Sequence, residues 1–204
     1  MHSDNSRQLE APSKGPQVLD FGRELEPWRR CYQQMSARLL LYARQVLYSG
    51  GCAFAADAED AVQTAFVRFW KKYPDAREDQ YGLLFAAVRS VSLDMLRSSN
   101  RRLRREGVYS VEVQDFRDAA APGAKGAGWF EESADPAAQT LQRALERLPG
   151  EQREVVVLKV WGELTFAQIG ETLQISPNTA ASRYRLAIGA LRKEVEPDGR
   201  NAHE

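Results

Sequence analysis

The sequence predicts an all-α fold: two small helical domains, an N-terminal helical bundle and a C-terminal helix-turn-helix domain, joined by a flexible acidic linker. Three observations predict it. Apolar residues recur at steps of three and four in both halves of the chain, strand-like alternation is weak throughout, and the stretch between the halves is acidic and rich in Ala, Gly and Pro. With 204 residues and 43% hydrophobic content the chain can build packed cores, which excludes disorder along its whole length.

Residues 1–26 read as a polar tail without the basic-then-apolar order of a signal peptide. The first domain is expected over 27–105. Its stretch "MSARLLLYARQVLY" predicts one helix and "DAEDAVQTAFVRFWKK" another, in which Ala58, Val62, Ala65 and Phe69 form a buried face. Asp57 reads as the N-cap of that second helix, with Glu59 and Asp60 in the first turn, where the helix dipole favours carboxylates. The opposite face carries Glu59, Gln63, Phe66 and Trp70, a mixed polar and aromatic surface. It either covers the flank of the bundle or docks a partner.

A third helix follows in "YGLLFAAVRSVSLDMLRSSNRR", with Leu84, Val88, Val91 and Met95 toward the core. It ends in Arg97, Arg101, Arg102, Arg104 and Arg105, a cluster suited to phosphates or simply to a helix C-terminus. Residues 106–137, including "AAAPGAKGAG", read as the linker.

The second domain is expected over 138–194, with residues 195–204 as a tail. Its stretch "TLQRALERLPGEQREVVVLKV" predicts two helices broken at Pro149-Gly150. Thr165 and Gln168 form a capping-box pattern, with Leu164 and Ile169 placed as a hydrophobic staple, and so start a further helix. Ser176 followed by Pro177 starts the last one. In that helix Ala180, Tyr184, Ala187 and Leu191 face the core, while Asn178, Ser182, Arg185 and Arg192 share the other side. Two helices about a short turn make a helix-turn-helix, whose second helix enters the major groove of DNA. Asn178 and Thr179 allow close approach, Ser182 can bond a phosphate or base, and Arg183 and Arg185 can reach guanine or phosphates. An ordinary helical hairpin with a charged solvent face is the competing reading of this pattern.

Composition narrows the function further. The only histidines, His2 and His203, lie in the tails, no glycine-rich phosphate loop appears, and no carboxylate pair stands out, so an enzyme is not expected. Cys31 and Cys52 are spaced neither as metal ligands nor as a disulfide framework and read as buried thiols; no metal or cofactor is expected. There is no membrane-length apolar run, and the chain reads as soluble and cytoplasmic. The formal net charge of zero hides an asymmetry. Residues 27–105 carry +7, 106–137 carry −5 and 138–194 carry +2, a pattern that points toward nucleic acid.

Over residues 28–194 the chain resembles bacterial RNA polymerase sigma factors of the extracytoplasmic-function group, in the sigma-70 family. "DAEDAVQTAFVRFWKK" resembles the family's helix that binds the polymerase clamp, "LLFAAVRSVSLDMLR" its minus-ten segment, and "ALERLPGEQREVVVLKVWGELTFAQIGETLQISPNTAASRYRLAIGALRK" its minus-thirty-five domain. The resemblance implies core RNA polymerase and promoter DNA as partners, an anti-sigma factor as a further one, and no small-molecule substrate. It implies that Asp57, Asp60, Gln63, Phe66 and Trp70 bind core polymerase. Lys71, Lys72, Tyr81, Arg89, Ser90, Asp94 and Arg97 are implied for the minus-ten surface, and Asn178, Thr179, Ser182, Arg183 and Arg185 for the minus-thirty-five groove. Leu83 stands where the family often has tryptophan and Ser90 where asparagine is common. Ala181 replaces a frequently basic residue, which implies fewer phosphate contacts by this domain alone. Near neutrality suits such a factor, because binding polymerase raises the effective concentration of both reading domains at the promoter. The residues themselves leave two other readings: a helix-turn-helix regulator that never joins polymerase, and a helical adaptor that binds only protein.

Overall fold

The computed structural model describes residues 26–49, 55–76, 80–105 and 135–195, which form seven α-helices with no strand among the described residues. In chain order these are α1 (Glu26–Ser49), α2 (Ala55–Lys72), α3 (Gly82–Arg105), α4 (Pro136–Arg147), α5 (Gly150–Val160), α6 (Phe166–Leu173) and α7 (Pro177–Val195). Most of the stretch read as the linker, both tails apart from Glu26 and Val195, and Cys52 lie outside the described residues.

Helices α1, α2 and α3 pack on one another as the first bundle. The expected face of α2 is the buried one: Ala58, Val62, Ala65 and Phe69 are all enclosed, joined by Ala61. Small residues at three of these positions let α2 lie close against its neighbours. On α3, Leu84, Val88 and Val91 are buried as expected, but the stripe continues through Leu96, and Met95 is only partly covered. Four steps from Val91 the stripe has drifted toward the flank, and Leu96 lies nearer the continuing core direction. Asp57 is not the N-cap: α2 begins at Ala55, which puts Asp57 in its first turn. It remains in the part of the helix where a carboxylate meets the positive dipole end. Helix α1 starts nine residues before the stretch read as helical, and this extension carries Trp28, Cys31 and Tyr32. Cys31 is buried in this core.

In the second half, Asp135 caps α4 by accepting from the Ala137 amide at 2.9 Å, with Pro136 in the first helical position. The helix stops at Arg147 and α5 restarts at Gly150, as Pro149-Gly150 dictates. The capping box of α6 is formed: Thr165 Oγ1 accepts from the Gln168 amide, and the Gln168 side chain accepts from the Thr165 amide at 2.8 Å. At its far end Gln174 takes the left-handed conformation (φ 57°), and the Ile175 amide turns back to the Gly170 carbonyl at 2.9 Å. A Cβ on Gly170 would stand 2.7 Å from the Ile175 carbonyl oxygen, so this turn requires glycine there. Ser176 Oγ then accepts from the Thr179 amide at 3.0 Å and opens α7.

The two halves also pack together, α3 against α6 and α1 against α5, and their buried side chains belong to one continuous cluster. This is why Val155, Val156, Val157 and Leu158 are consecutive and all enclosed. Helix α5 has neighbours on both sides, α1 from the first half and α6 and α7 from its own. Polar links reinforce the contact. Arg38 on α1 makes a two-pronged pair with Glu163 in the α5–α6 turn, at 2.8 and 2.9 Å. Arg153 on α5, itself buried, donates to Ser49 at the end of α1 at 3.0 Å and to the Glu146 carbonyl at 3.1 Å. Burial lowers its pKa from the usual arginine value and outweighs the opposing influence of Tyr48, Glu146 and Glu154.

Candidate functional site

Three surfaces carry the residues singled out by the sequence. The first is an aromatic face where the start of α1 crosses α2. Asp60, Gln63 and Trp70 are exposed, and Asp57 is half-buried beside them. Phe66 is half-buried because the Tyr32 ring meets it edge-on, centroids 5.1 Å apart. Trp70 is 44% exposed, with the Trp28 ring 6.3 Å away; Trp28 in turn stands edge-on to buried Phe69 at 5.9 Å. Phe66 therefore does both things the sequence allowed, covering the bundle with one edge and facing outward with the rest. Tyr32 and Val67, both more than two-fifths exposed, extend the same patch. Sequence reading missed Trp28, Tyr32 and Val67. The signal for the first two was an aromatic pair four residues apart, the spacing of one helix face. Large apolar side chains clustered in water are the usual mark of a partner surface.

The second surface is the outer side of α3 with the end of α2. Lys71 and Lys72 are exposed, Lys72 with its Nζ 5.1 Å from the Tyr73 ring centre, and Tyr81 is half-buried at the start of α3. Ser90, Asp94 and Arg97 follow one exposed line along α3. Asp94 is held between Arg97 at 3.2 Å and Arg68 at 3.8 Å, so its negative charge is compensated within a basic surface. Arg89 differs from these. It lies between the halves, where its Nε donates to Glu154 Oε1 at 3.0 Å, and the same oxygen accepts from the fully buried Tyr42 hydroxyl at 2.8 Å. Burial works against the Arg89 charge, but Glu154 and Tyr42 together outweigh it and raise the guanidinium pKa. Burial first, and then the Glu154 charge, push the Tyr42 hydroxyl well above the ordinary tyrosine value.

The third surface belongs to α7, the second helix of the helix-turn-helix. Asn178, Thr179, Ser182 and Arg185 are exposed on one side of it, as the helical register requires. Thr179 also serves the helix start, its hydroxyl 2.8 Å from that of Ser176, and Arg185 donates to Ser182 at 3.2 Å. Arg183 turns away from this side and pairs with Glu151 on α5 at 2.5 Å. Leu186, absent from the sequence reading, is 64% exposed, the largest exposure among the big apolar side chains described. At about 100° per residue it lies within about 40° of Ser182. Beyond it, a Cβ on Gly189 would meet nothing within 4 Å, so the backbone there is open to close approach. The signal for Leu186 was its register, one turn after Ser182. It was passed over because apolar residues are ordinarily assigned to the core.

Among the described residues no helix is long and apolar enough to cross a membrane, and no group of three or more His, Cys, Asp or Glu side chains converges as a metal site.

Residues 31–102 match the family described as Sigma-70 region 2, and residues 138–191 the family described as Sigma-70, region 4. Together these take in well over half of the chain. An RNA polymerase sigma-E factor of Streptomyces avermitilis is 29% identical over 140 residues, 69% of this chain and 72% of that protein. The ECF RNA polymerase sigma factor SigJ of Mycobacterium tuberculosis is 34% identical over 153 residues, 72% of this chain and 47% of that protein. Among solved structures, the fold resembles that of a sigma factor RpoE crystallised with the anti-sigma factor NepR from Bartonella quintana. The TM-score is 0.52 at 20% identity, covering 83% of this chain and 99% of that one, which is a likeness of fold.

Proposed function

The chain belongs to the sigma-70 family of promoter-directing RNA polymerase initiation factors, which are not enzymes, and from that premise we propose how its surfaces divide the work. Residues 27–105 act as the domain that joins core polymerase and reads the minus-ten element, and residues 138–194 as the domain that reads the minus-thirty-five element. The single observation that carries this division is an unsatisfied aromatic face and a helix-turn-helix on one chain. Phe66 and Trp70 on α2 want a protein partner, and the exposed side of α7 wants a groove.

Core polymerase docks on Asp57, Asp60, Gln63, Phe66 and Trp70, with Trp28, Tyr32 and Val67 enlarging the contact. Minus-ten DNA lies along Lys71, Lys72, Tyr81, Arg89, Ser90, Asp94 and Arg97. Minus-thirty-five DNA lies against Asn178, Thr179, Ser182 and Arg185, with Leu186 placed to meet a thymine methyl. Arg183 belongs to the same set once it leaves Glu151. An anti-sigma factor that covers the aromatic face is the partner expected to hold the protein inactive, as the sigma factor of similar fold is bound by one. The protein acts in the cytoplasm, where polymerase and promoter are.

The test is reconstituted transcription. The purified chain is mixed with bacterial core polymerase and a library of duplexes, and the 5′ ends of the transcripts are sequenced. Discrete start sites preceded by two shared motifs, lost on Trp70→Ala and altered at the upstream motif on Arg185→Ala, support the reading. Transcripts no different from those of core polymerase alone would reject it.

A further inference from the structure

Leu186 is 64% exposed on the side of α7 that carries Asn178, Thr179, Ser182 and Arg185. A single exposed leucine is ordinary on a protein surface, so exposure alone assigns it nothing. Its register does. Viewed down the helix at about 100° per residue, Leu186 lies about 20° from Thr179, two turns back, and about 40° from Ser182, one turn back. The buried residues of the helix, Ala180, Ala187 and Leu191, all lie about 100–140° away from it. Three residues on, a Cβ at Gly189 would meet nothing within 4 Å, which leaves the flank of Leu186 open to close approach. Its neighbours one turn away, Ser182, Arg183, Gly189 and Ala190, include no large apolar side chain, in contrast to the cluster of Tyr32, Phe66, Val67 and Trp70 on the first half. The place therefore fits one small apolar group among polar ones, and not the apolar face of a protein.

The major groove supplies such a group in one form, the methyl on C5 of a pyrimidine. Thymine carries it beside the O4 acceptor, and 5-methylcytosine carries it at the same ring position beside the N4 donor. Leucine neither donates nor accepts a hydrogen bond, so it does not tell O4 from N4. It answers to the methyl alone. Ser182 and Arg185 read hydrogen-bonding groups on the same side, and one turn of helix is about 5.4 Å, or about one to two base-pair steps of about 3.4 Å. The methyl belongs that far from the base pair nearest Ser182.

Resting on the sigma-factor reading, we propose that Leu186 is a specificity-determining residue that senses the C5 methyl of one pyrimidine in the upstream element. The base it takes is a C5-methylated pyrimidine, whether thymine or 5-methylcytosine. A promoter with cytosine at that position is weak until the cytosine is methylated, so the factor reads base modification as well as sequence.

The test uses the full chain assembled with core polymerase, on duplexes carrying the upstream motif found by transcript sequencing. Each pyrimidine of that motif, on either strand, is made in turn thymine, deoxyuridine, cytosine or 5-methylcytosine with its matching partner base, and specific transcripts are counted. Thymine differs from deoxyuridine, and 5-methylcytosine from cytosine, only by the methyl. At one position the methylated member of both pairs is used about threefold to fivefold better, the scale of one methyl group taken out of water. Leu186→Ala brings both ratios below about twofold, whereas Leu186→Met, apolar and of similar volume, keeps most of them. The ratios do not change with salt, because an apolar contact releases no counterions. Alanine favours an exposed helix position, so circular dichroism of the variants matches the wild type. Equal use of methylated and unmethylated members at every position, or ratios untouched by Leu186→Ala, overturns the proposal, while the specific transcripts themselves leave the sigma-factor reading standing. A thymine effect that 5-methylcytosine does not share overturns it as well, since a side chain that senses only the methyl responds to both. Absence of any specific transcript removes both readings.

Discussion

The shared oxygen of Glu154 makes a quantitative prediction. Tyr42 is fully enclosed and its hydroxyl donates to Glu154 Oε1 at 2.8 Å, while Arg89 donates to the same atom at 3.0 Å from a side chain 28% exposed. Glu154→Ala strands both donors unequally. Arg89 can turn to water, so its loss is discounted to about 0.5–1 kcal/mol. The Tyr42 hydroxyl has no such route, and a buried donor left without a partner costs about 1–3 kcal/mol. The expected destabilisation is therefore about 1.5–4 kcal/mol. Tyr42→Phe alone costs about 1 kcal/mol, because it removes the donor and leaves Glu154 with Arg89. In the Glu154→Ala background the same change removes the stranded hydroxyl and so recovers about 1–3 kcal/mol. The double-mutant cycle should then show a coupling of about 2–4 kcal/mol. Urea titrations followed by tryptophan fluorescence and circular dichroism measure it, and coincidence of the two probes checks that the halves unfold together. Strictly additive costs would refute the reasoning, for they would mean that Tyr42 and Glu154 do not meet and that the contact between the halves is not built as described.

The same hydroxyl predicts a pH dependence. Folding holds Tyr42 protonated well above the ordinary tyrosine value of 10.0, so above about pH 10 the unfolded chain releases a proton the native one keeps, and stability falls as pH rises. Wild type should lose up to about 1.4 kcal/mol per pH unit more than Tyr42→Phe in that range, and parallel curves from alkaline urea titrations would count against it. Gly170→Ala forces a Cβ to within 2.7 Å of the Ile175 carbonyl, so the turn between α6 and α7 must shift. A loss of about 1–3 kcal/mol in thermal or urea unfolding, with weakened use of the upstream promoter motif, is expected. Trp70→Ala removes a side chain that is 44% exposed. It should leave stability within about 1 kcal/mol of wild type while lowering core-polymerase affinity at least tenfold, read by fluorescence anisotropy.

Much of the secondary structure was legible because its causes are local. Pro149-Gly150 cannot continue a helix, Thr165 with Gln168 satisfies its own amides, and Ser176 before Pro177 does the same for α7. The buried stripe of α2 and, apart from half-buried Tyr184, that of α7 follow from the helical period alone. Asp57 shows the limit of such reasoning. A carboxylate near a helix start is favoured at several successive positions, so composition locates the turn and not the capping atom.

Tertiary structure decided what depends on residues far apart in the chain. Nothing near Trp28 or Tyr32 says that they will stand over Phe69 and Phe66. Nothing local to α5 says that its valines meet α1, or that Glu154, 112 residues from Tyr42, is its hydrogen-bond partner. The resemblance implies Arg89 and Arg183 for two promoter surfaces; the packing of the halves turns Arg89 toward Glu154, while Arg183 meets Glu151 through the packing of α7 on α5 inside its own half. Helix starts, stops and faces are governed by forces that act over one or two turns and are written in adjacent residues. The partner of a charge is settled by whichever surface packing brings within hydrogen-bond reach, and sequence order does not encode that distance.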